Sequence, residues 1–224
     1  MKLTLTSKIH LADNVWSFTF TPKMPLDWVA GQFVKVALAH PSPDSEGISR
    51  FFTIAAAPYE QLLTISTRVT DSTFKQALSK LSIGGTIDLL DTPAGDFVWH
   101  SSERERIFVA QGIGITPFYA IIKDRIHCGL PVQAKLIYAN RPGHAALFEA
   151  QLREWAQIDP TFQMSLQNEF ITPAAVASLT PDLASHTVYV SGPKSLMSLC
   201  LPPYNLPVSQ FKQDNFPGYA AANY

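Results

Sequence analysis

The sequence predicts two domains in series, an antiparallel β-barrel followed by an α/β domain built on a parallel sheet. Three observations carry that expectation. Short runs rich in Val, Ile, Phe and Thr fill residues 1–101. Beyond the polar stretch from Ser101 to Arg106 the pattern changes, and strand-like segments alternate with helix-like ones. The length, 224 residues, suits two domains of about 100 residues each. The expected boundaries are therefore 1–101 and 102–224.

In the first domain the strand segments are Thr4 to Ile9, Val15 to Thr21, Phe33 to Ala37, Phe51 to Ala55 and Leu63 to Arg68. Pro, Gly, Asp and Asn bound them, as turn residues bound short strands. Regular spacing of such strands favours a barrel or sandwich. One helix interrupts the series. Phe74, Ala77, Leu78 and Leu81 recur at helical spacing, Asp71 or Ser72 can cap the start, and Gly84-Gly85 ends it. Thr86 to Leu90 then resumes a strand.

In the second domain Ile107 to Ala110 reads as a strand and Pro117 to Ile126 as a helix, with Thr116 as its cap and Pro117 in its first turn. Lys123 and Arg125 suit the negative end of that helix, and Gly129 stops it. Lys135 to Ala139 is the next strand and Ala145 to Ala156 the next helix. Phe162 to Leu166 and Thr187 to Val190 complete the strands. Alternation of this kind implies parallel pairing with right-handed crossovers.

Composition excludes several function classes. With 46% hydrophobic and 16% charged residues the chain is ordered and globular. A net charge of -1 and scattered Lys and Arg give no footprint for nucleic acid. No membrane span is expected, because the apolar stretch Ile107 to Ile122 is broken by Gly112, Gly114 and Pro117. The start of the chain lacks a secretory apolar region, so the expected location is cytoplasmic. Cys128 and Cys200 are too few for a four-thiolate iron–sulfur cluster and read as two unrelated reduced thiols, although a disulfide is possible. The histidines are dispersed without metal-ligand spacing, and no metal site is expected.

Five segments carry candidate chemistry. In AQGIGITP, Ala110 to Pro117, a strand runs into Gly112 and Gly114 and a helix begins near Thr116. Glycines admit a bulky anion to the backbone, and a helix start offers free N–H groups to a pyrophosphate. A tight packing turn is the competing reading. It is not the usual Rossmann fingerprint, because Pro117 stands where the third glycine would be. SRFFT, Ser49 to Thr53, sets an arginine three residues before a hydroxyl, a pair suited to a phosphate and a ring group but common by chance. TPAGDF, Thr92 to Phe97, is ordinary turn chemistry. VSGPKSLM, Val190 to Met197, again brings backbone amides to a strand's carboxyl end. DNFPGY, Asp214 to Tyr219, lies near the chain's end.

Each signal is modest and their order is not. RFFT, DSTFKQAL (Asp71 to Leu78), TPAGDF, AQGIGITP, YANR (Tyr138 to Arg141), SGPKSLM and FPGY follow one another as in the ferredoxin–NADP reductase superfamily, which the chain resembles over nearly its whole length. The resemblance is to its bacterial members that lack a fused iron–sulfur or haem domain. It implies an FAD-binding barrel and a Rossmann-like NAD(P)-binding domain. Arg50 would pair with the FAD pyrophosphate, and Thr73, Phe74 and Lys75 would help to cradle it. Phe51 and Phe52 belong to the same motif. Phe52 would lie against the flavin and Thr53 would hydrogen-bond near flavin N5. Thr67 and Val69 would add backbone contacts. Gly112, Gly114 and Thr116 would face the dinucleotide, with Asn140 and Arg141 near its adenosine ribose and Gly192 and Pro193 near its nicotinamide ribose. Thr53 and Ser191 are the expected catalytic residues, and Tyr219 or Tyr224 would shield the flavin.

The implied reaction passes hydride from NADPH or NADH to the flavin. Electrons then pass to a separate acceptor, a ferredoxin-like protein or a small molecule. The protein's part is alignment and exclusion of water. Arg141 suits the 2′-phosphate of NADPH as readily as it suits a surface turn. Phe52 stands where the family usually has tyrosine, Gln111 where glycine is frequent, and Ser191 where a cysteine is common. These departures leave open an alternative, an FAD-binding electron-transfer or regulatory subunit with a degenerate nicotinamide site.

Overall fold

Leu3 and Leu5 are fully buried while Lys2 is exposed and Thr4 half-buried. This two-residue period makes Lys2–Ala12 a strand, β1, with one face on the core. In the computed structural model, which describes residues 1–102, 105–180, 182–193, 196 and 210–214, the chain divides into the units Met1–Val98 and Trp99–Tyr224.

The first unit continues with β2 (Val15–Pro22), β3 (Phe33–Ala37), β4 (Ser49–Thr53), β5 (Leu63–Arg68), helix α1 (Thr73–Lys80) and β6 (Thr86–Leu89). The strands pair antiparallel in one six-stranded sheet, in the order β4-β3-β6-β1-β2-β5. The two ends of that order approach each other. The Ala55 amide, just past β4, donates to the Thr64 carbonyl of β5 at 2.8 Å, which curls the sheet into a barrel-like form. Phe18, Phe20, Val34, Ile65 and the α1 residues Phe74 and Leu78 fill its interior with no exposed surface. Each large side chain so buried contributes roughly 2–3 kcal/mol.

The second unit carries β7 (Arg106–Gln111), α2 (Ile115–His127), β8 (Ala134–Ala139), α3 (Glu149–Ile158), β9 (Phe162–Gln167), α4 (Pro173–Leu179), β10 (Thr187–Ser191) and β11 (Phe211–Gln213). All pairs are parallel, in the order β11-β10-β7-β8-β9. Strand β7 is buried along its whole length, as the centre of a two-sided parallel sheet must be. Its alternate residues serve two cores. Ile107 and Val109 join Ile137, Val188 and Val176 on one face. Phe108 stacks on Phe118 of α2 at 4.8 Å on the other.

Three local expectations need correction. Strand β4 begins at Ser49 rather than Phe51, so Arg50 lies inside the sheet. Ser72 occupies the position before α1, but its side chain makes no capping hydrogen bond. Helix α2 starts at Ile115 after Gly114, so Thr116 is inside the helix, its hydroxyl donating to the Ile113 carbonyl at 3.1 Å. Helix α4 was not expected from the sequence. Among the described residues no helix is long and apolar enough to cross a membrane, and no group of His, Cys, Asp or Glu could hold a metal ion.

Candidate functional site

In the first unit the candidate residues meet around one guanidinium. Arg50 projects from β4 and is 2% exposed. Strand alternation puts Phe52 on the same face, and Phe74 of α1 joins them, with the Arg50 guanidinium 5.5 Å from its ring and the Phe52 ring 5.8 Å away. Phe51 points the other way, edge-on to Phe33 at 5.5 Å with the Lys35 ammonium over its ring. Thr53 is buried at the end of β4.

The polar atoms of Arg50 converge on a loop that sequence reasoning did not single out. Its Nη2 donates to Asp44 Oδ1 at 2.6 Å and to Ser72 Oγ at 3.3 Å. Nη1 donates to the carbonyls of Glu46, Gly47 and Ser49 at 2.8–3.0 Å. The Glu46 carboxylate lies 2.7 Å from Nε, an ion pair in which the N–H points off the oxygen. Asp44 Oδ2 meanwhile accepts from both the backbone N–H and the hydroxyl of Thr73, each at 3.0 Å. Asp44 therefore supplies the cap that Ser72 does not.

Electrostatics follow from that clasp. Burial pushes the Asp44 carboxyl up, but hydrogen bonds from Arg50 and from the Thr73 amide and hydroxyl, with the Arg50 charge, outweigh it and hold the pKa at about 2. Burial pulls the Lys75 ammonium below its ordinary value, Glu46 opposes this, and the charges of Arg50 and Arg68 add to the lowering. The Arg50 guanidinium and the first N–H of α1 thus converge on one carboxylate, with the Lys75 charge acting on the same cluster. Thr67 is buried in β5, and the Val69 amide and carbonyl are both bonded to Asn14, each at 2.8 Å.

In the second unit the candidates gather at the carboxyl ends of β7, β8 and β10. The sheet order reverses direction between β7 and β10, and a crevice opens at such a point in parallel sheets. Gly112 follows β7 with φ +56°, and a side chain there would meet nothing within 4 Å. Gly114 is different. A Cβ on it would lie 2.2 Å from the Ser191 carbonyl oxygen and 2.6 Å from the Gly192 nitrogen, so the two loops touch only because Gly114 lacks one. Tyr138 of β8 ties the turn down, its hydroxyl donating to the Gly112 carbonyl at 3.2 Å and accepting from the Leu147 amide at 3.0 Å. Asn140 is buried just past β8 and Arg141 is exposed. Ser191 is buried, and its hydroxyl donates to the buried Asp214 carboxylate at 3.0 Å. Gly192 and Pro193 are half-buried beside it. Tyr219 and Tyr224 lie outside the described residues.

Tyr138 enters the sequence reasoning only as the first residue of YANR, without a role, and Asp44 and Glu46 are the contributors that it missed. Only Glu46 left a signal there, an acidic residue four before Arg50 across a Gly-containing turn.

Known proteins extend this picture. Residues 108–201 match the family described as the oxidoreductase NAD-binding domain. The chain is 25% identical to a flavohemoprotein of Burkholderia sp. (strain TH2) over 85% of its own length and 51% of that protein. It is 26% identical to the ferredoxin reductase component of 3-ketosteroid-9-alpha-monooxygenase from Mycobacterium tuberculosis, over 88% of the chain and 59% of the relative. The chain thus spans little more than half the length of these relatives. Among solved structures, the flavohem-like FAD/NAD-binding domain of nitric oxide dioxygenase from Vibrio cholerae superposes with a TM-score of 0.79 at 17% identity, covering 96% of this chain and 98% of that one. Ferredoxin–NADP+ reductase from Plasmodium falciparum does so with a TM-score of 0.77 at 13% identity, covering 96% and 95%. A barrel-like sheet followed by a five-stranded parallel sheet is the two-domain fold of these FAD/NAD-binding reductases, and the chain is similar to reductases along most of its length.

Proposed function

We propose that the chain is an FAD-dependent NAD(P)H oxidoreductase. Its first unit holds FAD, its second holds the nicotinamide dinucleotide, and electrons leave to a separate acceptor. The observation that carries this reading is the anion seat of Arg50 and the Thr73 amide, whose donors already clasp a carboxylate and so have the chemistry a diphosphate needs.

Arg50, Thr73 and Lys75 hold the FAD diphosphate, with Phe74 packed beneath the guanidinium. Phe52 and Thr53 line the flavin side, while Phe51 braces the strand from its other face against Phe33, and Thr67 and Val69 border the site from β5 and its end, with Val69 held by Asn14. The turn of Gly112, Gly114 and Thr116 receives the nicotinamide dinucleotide, where Gly112 leaves open space. Asn140 and Arg141 take the adenosine end, and Arg141 favours NADPH. Gly192 and Pro193 approach the nicotinamide ribose, and Ser191, oriented by Asp214, borders the reacting ring. Bound FAD supplies the redox chemistry, accepting a hydride from reduced nicotinamide and releasing electrons onward. The residues named here bind and orient. They need no acid–base step beyond the Thr53 and Ser191 hydroxyls. A ferredoxin-like protein suits the acceptor role, since a relative is a ferredoxin reductase component.

The test is a visible spectrum of the purified protein, followed by anaerobic addition of NADPH and then NADH. Flavin bands that bleach with a nucleotide support the reading, and the faster nucleotide names the donor. Flavin bands that neither nucleotide bleaches reduce the chain to an electron-transfer subunit. A protein that takes up no FAD overturns it.

A further inference from the structure

We infer that the loop carrying Asp44 and Glu46 is an internal latch on the anion seat, and that FAD enters by displacing its two carboxylates. The inference rests on the FAD reading above, because it concerns the same seat. Each Arg50 nitrogen that could face a phosphate already faces the chain's own oxygens. Nη2 is on Asp44, Nη1 on three carbonyls of residues 46–49, and Nε beside Glu46. The Thr73 amide, the donor a helix start presents to a phosphate, is on Asp44 Oδ2 at 3.0 Å. A diphosphate can reach these donors only by exchange.

The exchange is balanced in charge. Asp44 and Glu46 together bring about two negative charges, as a diphosphate does, so Arg50 and Lys75 are neutralised before and after. It also leaves the core intact. Residues 41–43 and 45–46 are exposed, Gly47 and Ile48 are at most half-buried, and Arg50 itself is fixed in β4. The loop is held down by the clasp, by the Asp44 amide donating to the Thr73 hydroxyl at 3.0 Å, by His40 Nε2 on the same hydroxyl, and by one backbone bond at its base, from the Leu38 amide to the Ile48 carbonyl; all but the last would open with Asp44. Ser42 and Gly47, at φ 50° and 72°, mark the bends on either side of Asp44. The latch keeps a buried guanidinium paired while the seat lacks a phosphate, which avoids the cost of an isolated buried charge. It also sets the affinity and entry of the diphosphate group by competition.

The experiment measures binding of FAD, by quenching of flavin fluorescence, and of inorganic pyrophosphate, by calorimetry, to the FAD-free full chain. Asp44→Asn and Glu46→Gln are compared with the unaltered protein. The latch predicts that Asp44→Asn tightens both ligands by about tenfold and that Glu46→Gln shifts them the same way by less. It also predicts that FAD speeds amide hydrogen exchange across residues 42–48 of the unaltered protein. Unchanged or weaker binding in both variants, with slower exchange in the loop, overturns the latch and makes Asp44 a support that orients Arg50 on the bound diphosphate. If Asp44→Asn does not fold, Glu46→Gln and the exchange measurement decide alone. Tighter pyrophosphate binding without any FAD uptake keeps the latch and removes the FAD reading. FAD uptake without a gain in either variant does the reverse. Failure of both ligands with every variant overturns the latch as well, because neutralising its carboxylates would then open nothing.

Discussion

Arg50 has almost no exposed surface and is the residue on which the first unit turns. Removing it as Arg50→Ala leaves Asp44 and Glu46 with a hole where their partner stood and Phe74 without its stacked cation. The expected loss is about 2–4 kcal/mol of stability together with loss of FAD uptake, read by urea unfolding and by flavin retention. The same contact predicts a pH dependence. Asp44 is held at about 2 against an ordinary 3.8, so the unfolded chain binds its proton more readily than the folded one. Its contribution is full above the ordinary value and is lost as pH falls from about 4 towards 2. A plot of melting temperature against pH should lose much of its slope in that window in Asp44→Asn. In the second unit the reading of Ser191 predicts that Ser191→Ala slows flavin reduction by about tenfold at saturating nucleotide while FAD affinity stays the same. An unchanged rate would remove Ser191 from the reacting face. Sequence alone named Arg50 and Ser191 through their motifs. It could not name Asp44, because the carboxylate that caps α1 lies 29 residues before Thr73 and only the fold brings them together.

At the scale of elements, the strands of the first unit were legible because apolar residues follow a period of two and turn residues bracket each run, whereas β11, three residues long, was not expected. Helix starts were less legible. The polar residues beside α1 and α2 resemble caps, yet Ser72 caps nothing and Thr116 bonds back to Ile113 from within the helix. Helix α4 escaped notice because its seven residues, PAAVASL, offer Val176 and Leu179 and no longer apolar repeat. The glycine turn after β7 suits a ligand turn or a packing turn; Gly114 is a packing glycine, while Gly112 faces open space. Gly114→Ala should disrupt the contact with the β10 loop, because the obstructing atoms are backbone and cannot rotate away. A loss of about 2–4 kcal/mol, confined to the second unit, is expected in urea unfolding. Gly112→Ala meets no such obstacle and should cost only about 1 kcal/mol for its positive φ. Equal losses in the two variants would mean that the β7 and β10 loops do not depend on their close approach.

Among the described residues the core inside the six-stranded sheet shares no residue with the core on one face of the parallel sheet. The change from an antiparallel to a parallel sheet was legible in the sequence pattern, because alternating strands and helices cannot build an antiparallel barrel. The alignment of the two cofactors was not legible, because ordered motifs name binding loops without fixing distances between them. Separate cores predict separate responses to ligands. FAD at about one hundred times its Kd should add about 2.7 kcal/mol to the unit that binds it. Amide exchange that requires unfolding of that unit should then slow by about a hundredfold. The measurement is hydrogen exchange by mass spectrometry in a low concentration of urea, comparing segments of β1–β6 with segments of β7–β10. Slowing confined to β1–β6 is expected, since the anion seat belongs to that unit. Slowing confined to β7–β10 would move FAD to the second unit and remove Arg50 from its site. Equal slowing in both would mean that the units unfold as one cooperative body, and that FAD stabilises the second through the first.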